Sequence, residues 1–341
     1  VMATHADYRH WDPLLSPAGA QDMMNLAESF GSFGTYADEA TSEGLGEQLP
    51  QRFDVGLYYF NAGINGTGNP DDEAMAASRT NYFRETYAYG NDILAPGVEA
   101  FMQYPGLHQA ARDLSACELV KPAIVYANLL VPGQELAIHT DVPEFRGANR
   151  KNTPQWLLVC MLHSGLFNDW RIPILTCVSW WGSAGGGAFT FYPDGPDGQR
   201  ESVPATHNSA IIIDTDRVLH GVERVAHRQP GLPSIGKHTR LHFRGNEAWQ
   251  LREGDQVLAD YTWSQIRSSI SGRAYCFKDA ADHARWHEAD AGLSQTVILD
   301  TLEQALRDKG VLSGPRPAPT EFAMQLAKTF IRFPQHSAGP D

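Results

Sequence analysis

The middle of the chain, residues 121–243, consists of short β-rich segments separated by Gly, Pro and Asn. This alternation of predicted strands and turns restricts the possible folds more than any other feature of the sequence. Many short strands with frequent turn signals are typical of β-sandwiches and β-barrels. The strands predicted in this region are 123–131, 135–139, 156–162, 188–192, 210–214, 219–225 and 239–243. The central part of the chain is therefore predicted to form a β-rich core.

The residues before this core have a different pattern. Residues 1–115 mix helical stretches, such as 20–30 and 92–114, with a glycine-rich segment at 63–72. Such a mixture predicts a helical lead-in that packs on the core.

The residues after the core also favour helices. Beyond Gly245 the clearest helical pattern is at 294–309, where apolar residues recur at the spacing of one helix face. The Pro-rich stretch 313–320 predicts a linker before a last helix near 321–330. The predicted division is a lead-in at 1–115, a catalytic core at 116–245 and a helical extension at 246–341.

Charge and hydropathy exclude two classes of partner. The chain has 27 Lys and Arg against 40 Asp and Glu, a net charge of −13, and no cluster of basic residues. A nucleic-acid-binding protein normally shows a basic patch, so DNA and RNA are not expected partners. No apolar run approaches the roughly 20 residues that span a bilayer, and the first residues lack the pattern of a signal peptide. A cytoplasmic location without membrane association is expected.

The four cysteines restrict the possible metal sites. Cys117, Cys160, Cys177 and Cys276 are far apart and form no CxxC motif. Reduced thiols are therefore expected, and neither a disulfide framework nor a cysteine zinc site is predicted. Any metal site must use histidines and carboxylates.

One group of residues has the pattern of such a site. In the sequence His139-Thr-Asp141 two ligands stand two positions apart, and on a strand they point to the same face. His220 is a third candidate, because it begins another β-rich segment. Two histidines and one carboxylate on adjoining strands form the facial triad of non-haem iron(II) oxygenases, which leaves coordination positions open.

The segments around these ligands occur in a characteristic order. Residues 126–134 form a strand followed by a Pro-Gly turn before His139, and the pair Gly186-Gly187 and the apolar run 210–214 precede His220. This series resembles the iron(II)- and 2-oxoglutarate-dependent dioxygenase superfamily, particularly its prolyl-hydroxylase-like branch. The resemblance extends over residues 123–244.

The resemblance implies a fold and a set of ligands. It implies a double-stranded β-helix, or jelly roll, with flanking helices, on which His139, Asp141 and His220 bind iron. It also implies a basic residue, on the strand after the distal histidine, that holds the far carboxylate of 2-oxoglutarate. Arg240 is the predicted residue because it lies in a β-like run, and Arg228 is the alternative.

The activity implied is the oxidation of an unactivated C–H bond, most simply hydroxylation, with iron(II), 2-oxoglutarate and dioxygen. The expected substrate is a small molecule such as an amino acid or a natural-product intermediate. Related halogenases have a small residue at the carboxylate position, so Asp141 predicts an oxidation and not a chlorination. Two alternatives stay open: a cupin-type metal dioxygenase that does not use 2-oxoglutarate, and a non-catalytic jelly-roll binding protein.

Overall fold

The computed structural model describes residues 5–36, 45, 49–62, 73–226, 231–288 and 292–334. The strands in chain order are β1 (Arg9–Trp11), β2 (Ser32–Thr35), β3 (Phe83–Tyr89), β4 (Asp92–Ile93), β5 (Leu119–Leu130), β6 (Leu136–His139), β7 (Glu144–Phe145), β8 (Arg171–Ile172), β9 (Ile174–Trp181), β10 (Phe189–Tyr192), β11 (Glu201–Val203), β12 (Ser209–Ile213), β13 (Leu219–Val222), β14 (Thr239–Gly245), β15 (Ala248–Glu253), β16 (Gln256–Thr262) and β17 (Arg267–Phe277). The α-helices are α1 (Pro17–Phe30), α2 (Phe53–Ala62), α3 (Glu73–Thr80), α4 (Glu99–Met102), α5 (Pro105–Ser115), α6 (Gln155–Ser164), α7 (Ala280–Trp286), α8 (Gln295–Asp308) and α9 (Pro319–Phe330). Among the helices of these residues, none is both long and apolar enough to cross a lipid bilayer.

Two antiparallel sheets form the core. The large sheet contains the consecutive neighbours β12, β9, β17 and β5, and the small sheet has the order β11, β10, β13, β6. From β5 the chain passes to the small sheet at β6, returns at β9, and continues to alternate until β17 inserts between β5 and β9. This connectivity defines a jelly roll, or double-stranded β-helix. The predicted fold class is therefore confirmed.

Two strands of the large sheet, β9 and β12, are mostly apolar and are buried along their whole length. Helix α5 packs near both strands, and α1 packs near β9. Continuous apolar strands are expected where both faces of a sheet are covered. These helices therefore complete the wall behind the site.

The large sheet continues beyond β5. Its further order is β3, β2, β14, β15, β16, so residues before and after the core add strands to the same edge. Trp249 of β15 is fully buried and packs against Phe33 and Trp263, with ring centroids 5.9 and 4.9 Å apart. The extension β14–β16 is therefore an integral part of the fold.

The observed strands do not follow the predicted division of the chain into a helical lead-in, a β-rich core and a helical extension. The region at 1–115 contributes β2 and β3 to the large sheet, and the region after 245 begins with strands and not with helices. Strand β17 lies in the centre of the jelly roll, so the core does not end at residue 245. Local helical patterning after Gly245 was a poor guide because β17 is stabilised by long-range pairing with β5 and β9.

One predicted strand is a helix. Residues 156–162 were predicted as a strand but lie within α6, whose residues from Trp156 to Met161 are all buried. A segment that is apolar on every side has no periodicity with which to separate helix from strand. The helix begins after Pro154 and ends at Gly165, which has a left-handed φ of 71°.

Helix α6 belongs to a second, helical core. It packs against α8 and α9 around buried residues that include Leu302, Leu306 and Phe322. The helices predicted at 294–309 and 321–330 are confirmed as α8 and α9. The stretch predicted at 92–114 contains the short strand β4 and two helices, α4 and α5, because Pro105 begins a new helix. The glycine-rich segment 63–72 lies outside the described residues.

Candidate metal and cosubstrate site

A cleft lies between the two sheets of the jelly roll. It contains about 560 Å³ of space, which includes open solvent at its mouth. Its walls include the predicted metal ligands and polar residues of the large sheet, among them His139, Asp141, His220, Arg84, Tyr126, Asn128, Arg267, Ser269 and Ser271. Polar side chains of the large sheet thus face the predicted metal ligands across the cleft.

The structure brings together His139, Asp141 and His220. Strands β6 and β13 pair so that His139 lies opposite His220, and Asp141 follows β6 directly. The Asp141 Oδ1 atom is 3.7 Å from His139 Nε2 and 4.0 Å from His220 Nε2. One ligand atom from each residue lies within 4.8 Å of the others, so a single ion can contact all three.

Backbone carbonyls orient both histidines. His139 Nδ1 lies 2.8 Å from the carbonyl oxygen of Ala137, and His220 Nδ1 lies 2.9 Å from that of Val218. A carbonyl only accepts, so each Nδ1 donates its proton and each Nε2 presents a lone pair. This tautomer is the one that a metal requires when Nε2 is the ligand.

The charge states of the ligands also suit a cation. Burial, and then the proximity of His139, lowers the pKa of His220 to about 4, so His220 is neutral at neutral pH. Burial by itself would raise the pKa of Asp141, but the proximity of His139 and the charge of Arg273 hold it well below its ordinary value. Asp141 is therefore an anion beside the neutral imidazole of His220.

A network of buried side chains fixes the Asp141 carboxylate. Thr215 Oγ1 donates to Asp141 Oδ2 at 2.7 Å, and Arg273 Nε lies 4.0 Å from the same oxygen. Arg273 is itself held by a hydrogen bond to Asp216, whose side chain is fully buried. The second carboxylate oxygen, Oδ1, is thereby directed toward the two histidines.

The donor set fits a non-haem iron(II) site. Two imidazole nitrogens and one carboxylate oxygen meet on one side of the cleft, and a cation held there keeps open positions toward the cleft. In the described part of the chain, this triad is the only such group of His, Cys, Asp or Glu residues.

A buried arginine faces the same cleft from β17. Arg267 is 3% exposed; its Nε donates to the Gly187 carbonyl at 2.6 Å and its Nη1 to Ser269 Oγ at 3.4 Å. Within the described residues its Nη2 has no hydrogen-bond partner, and no carboxylate lies within 4.0 Å of the guanidinium. Burial lowers the pKa of Arg267 to about 9, so it stays cationic at neutral pH. A buried, unpaired guanidinium fits the carboxylate of an anionic ligand.

Arg240, which was predicted to hold 2-oxoglutarate, does not line the cleft. It lies on β14 in the extension, its side chain is 45% exposed, and it pairs with Glu85 at 3.0 Å and with Ser32. The prediction that Arg240 points into the barrel is therefore wrong, because β14 continues the edge of the large sheet and is not a strand of the jelly roll. Arg228, the alternative, lies outside the described residues.

Arg267 is not among the residues predicted from the sequence, because it is far from His220 along the chain. Strands β14–β16 separate His220 from the next strand of the jelly roll, which is β17. One sequence signal was available: polar residues at every second position, namely Arg267, Ser269, Ser271 and Arg273. This period predicts a strand with one polar face.

Comparisons with known proteins give structural likenesses only. No protein-family model matches the chain, and no curated protein matches it significantly. A prolyl-4-hydroxylase of Pseudomonas putida is similar in structure, with 10% identity and a TM-score of 0.36 over 80% of this chain and 94% of that one. A non-heme alpha ketoglutarate dependent carbocyclase from nogalamycin biosynthesis has 10% identity and a TM-score of 0.42 over 85% of this chain and 90% of that one.

A third similar structure is a viral collagen prolyl hydroxylase of Paramecium Bursaria Chlorella virus-1. It has 9% identity and a TM-score of 0.37, over 80% of this chain and 96% of that one. The strand order of the two sheets, independently of these likenesses, defines the jelly-roll fold.

Proposed function

We propose that the protein is an iron(II)- and 2-oxoglutarate-dependent oxygenase of the prolyl-hydroxylase-like branch that oxidises a C–H bond of a small molecule. The observation that supports this most strongly is the combination of the triad and the unpaired Arg267 in one cleft. A metal site alone would suit many enzymes. A buried guanidinium without an anion suits an enzyme that also binds a dicarboxylate.

Each group has a place among the residues of this chain. His139, Asp141 and His220 would hold iron(II), and Arg267 with Ser269 would hold the far carboxylate of 2-oxoglutarate. When bound, iron(II), 2-oxoglutarate and dioxygen supply the oxidising chemistry, in which 2-oxoglutarate is converted to succinate and carbon dioxide.

The protein contributes orientation and exclusion of water. The carbonyls of Ala137 and Val218 hold each imidazole so that Nε2 faces the cleft. Thr215 and Arg273 keep the Asp141 carboxylate anionic and fixed. Apolar residues of the cleft, such as Val178, Phe189 and Val222, limit the access of water to the oxidant.

The enclosure of the site and the charge of the chain support a small-molecule substrate. The triad and Arg267 line a cleft between the two sheets, and the net charge of −13 does not favour a nucleic acid. With Asp141 in the carboxylate position, we propose hydroxylation or a related oxidation and not halogenation.

Anaerobic binding tests the proposal directly. Adding iron(II) and then 2-oxoglutarate to the metal-free protein should produce a visible metal-to-ligand charge-transfer band. A protein that binds iron but gives no band with 2-oxoglutarate would fit a metal dioxygenase of the cupin type. A protein that binds neither would fit a non-catalytic jelly-roll protein.

Variants of the ligands define the metal site. His139→Ala and His220→Ala should each lose most bound iron and the band, because three ligands act as one site. The exposed His238 is the matched control, and His238→Ala should bind a full equivalent of iron. Metal content after dialysis is the measurement, and full occupancy in His220→Ala would remove His220 from the site.

A further inference from the structure

A second arginine lines the cleft, on a strand outside the jelly roll. Arg84 lies on β3, which pairs with the outer side of β5, and it stands directly opposite Asn128. Both residues face the cleft together with the metal ligands. Arg84 and Arg267 are the arginines among the cleft-lining residues.

Aromatic rings hold the Arg84 guanidinium in place. Its Cζ atom lies 3.5 Å from the centre of the Tyr126 ring and 4.4 Å from that of Tyr36. Tyr82 is a further neighbour of the guanidinium and interacts with it through its hydroxyl. The two ring contacts use the faces of the guanidinium, and the in-plane N–H groups that do not meet the Tyr82 hydroxyl stay available to a ligand. The side chain is therefore oriented before any ligand binds.

Arg84 forms no ion pair with an acidic residue in the described part of the chain. Within the described residues no carboxylate lies within 4.0 Å of its guanidinium, whereas Arg273 and Arg171 pair with Asp216 and Asp214. The adjacent acid, Glu85, is on the other face of β3, where it binds Arg240 and the backbone N–H of Gly34. A positive charge in a half-buried cleft without a counter-ion favours an anionic ligand.

The position of Arg84 places such a ligand near the metal ligands. Tyr126 contacts Arg84 through its ring, and both residues line the same cleft as Asp141. Beside Arg84, the buried Oδ1 of Asn128 has no hydrogen-bond partner within the described residues. The Asn128 Oδ1 is therefore an unused acceptor next to the guanidinium, suited to an N–H or O–H group of a ligand.

We infer that the substrate is a small organic acid whose carboxylate binds Arg84, next to the metal site. This inference rests on the proposed function, in which the metal takes one carboxylate of 2-oxoglutarate and Arg267 takes the other. Neither carboxylate of 2-oxoglutarate then binds Arg84. A carboxylate matches the planar guanidinium in a two-point hydrogen bond.

Fluorinated probes can test this inference before the natural substrate is known. The protein is loaded with zinc(II), which is redox-inert, and with saturating 2-oxoglutarate, and ligand binding is followed by ¹⁹F NMR line widths. The probes are 4-fluorobenzoate and 4-fluorophenylacetate, their neutral amides, and 4-fluorophenyl phosphate. Both acids should bind the unaltered protein about tenfold or more tightly than their amides.

The variants isolate the charge of Arg84. Arg84→Gln should weaken binding of the acids by about 10- to 100-fold and leave the amides unchanged, and Arg84→Lys should retain part of the preference. Arg240→Gln is the matched control, because it removes an arginine of the same sheet, on β14, that does not line the cleft. Circular dichroism and thermal melting show whether Arg84→Gln is folded, and Arg84→Lys retains the charge if it is not.

Several results would overturn the inference. Equal binding of acids and amides by the unaltered protein would show that Arg84 does not select a carboxylate, and tighter binding of the phosphate would assign a different anion. A larger loss of 2-oxoglutarate than of the acids in Arg84→Gln would assign Arg84 to the cosubstrate. If zinc and 2-oxoglutarate do not bind at all, the proposed function fails, and the preference for acids is then measured in the metal-free protein.

Discussion

At the scale of single residues, the hydrogen-bonding partners of an arginine indicate whether it binds a ligand or stabilises the fold. Arg240 is satisfied by Glu85 and Ser32 at the surface. Arg267 is buried, and within the described residues it donates to a carbonyl and a hydroxyl but meets no carboxylate. Burying an unpaired charge has a cost in stability that a bound anion offsets.

The first prediction compares these two arginines. Arg267→Gln should weaken 2-oxoglutarate binding by about 10- to 100-fold, because a charge-assisted hydrogen bond contributes about 1.5 to 3 kcal/mol. Iron binding should be nearly unchanged, since Arg267 is not a ligand. Arg240→Gln should leave both affinities unchanged. Anaerobic titration of each iron-loaded variant is the measurement, and a larger effect of Arg240→Gln would reverse the assignment.

The second prediction concerns the glycine that supports Arg267. Gly187 has a φ of +65°, and a Cβ atom there would lie 2.5 Å from Arg267 Cδ. Gly187→Ala should therefore displace the arginine and weaken 2-oxoglutarate binding by about tenfold, with little change in iron binding. Gly185→Ala is the control, because a Cβ atom at Gly185 meets no atom within 4 Å. Equal 2-oxoglutarate affinities in the two variants would show that Gly187 does not position Arg267.

At the scale of secondary-structure elements, the insertion β14–β16 explains the distance between His220 and Arg267 in the sequence. It extends the large sheet at the edge formed by β2 and does not interrupt the jelly roll. Its inner side contributes Trp249 to the main hydrophobic core, while the residues of the edge strand β16 are largely exposed. The insertion is thus stabilising on one face and solvated on the other.

The third prediction tests this packing. Trp249→Ala should lower the free energy of unfolding by about 3 to 5 kcal/mol, the usual cost of truncating a buried aromatic residue. Val257→Ala, on the exposed strand β16, should change it by less than about 0.5 kcal/mol. Urea denaturation measures both. A loss below about 1 kcal/mol in Trp249→Ala would mean that the extension folds separately from the core.

At the scale of the whole molecule, segments distant in sequence share two cores. The main core joins the lead-in, the jelly roll and β15 of the extension, and the second core joins α6 to the C-terminal helices α8 and α9. Helix α6 also carries His163, near Thr140 of the metal-binding segment. The metal site therefore lies where the jelly roll meets the helical core.

The fourth prediction follows from the burial of His163. Burial lowers its pKa from 6.5 to about 4, so between these values the unfolded state binds more protons than the folded state. The free energy of unfolding of the metal-free protein should therefore fall as the pH falls from 6.5 to 4. The share of His163 is at most about 3 kcal/mol.

Urea denaturation at several pH values measures this share. His163→Gln should reduce the loss of stability over this interval, because glutamine does not titrate. The exposed His238 provides the control, and His238→Gln should show the same pH dependence as the unaltered protein. A steeper loss of stability in His163→Gln would contradict the assignment.

The sequence by itself determined the β-rich core, the amphipathic helices α8 and α9 and the three candidate metal ligands that the structure brings together. These features depend on local patterns: the alternation of a strand places His139 and Asp141 on one face, and helical periodicity marks the last helices. Tertiary structure decided that residues 156–162 are helical, that β17 closes the jelly roll, and that Arg267 and not Arg240 faces the cleft. Each of these depends on which distant segments pair or pack together, and the free energy of such long-range contacts leaves little trace in the order of neighbouring residues.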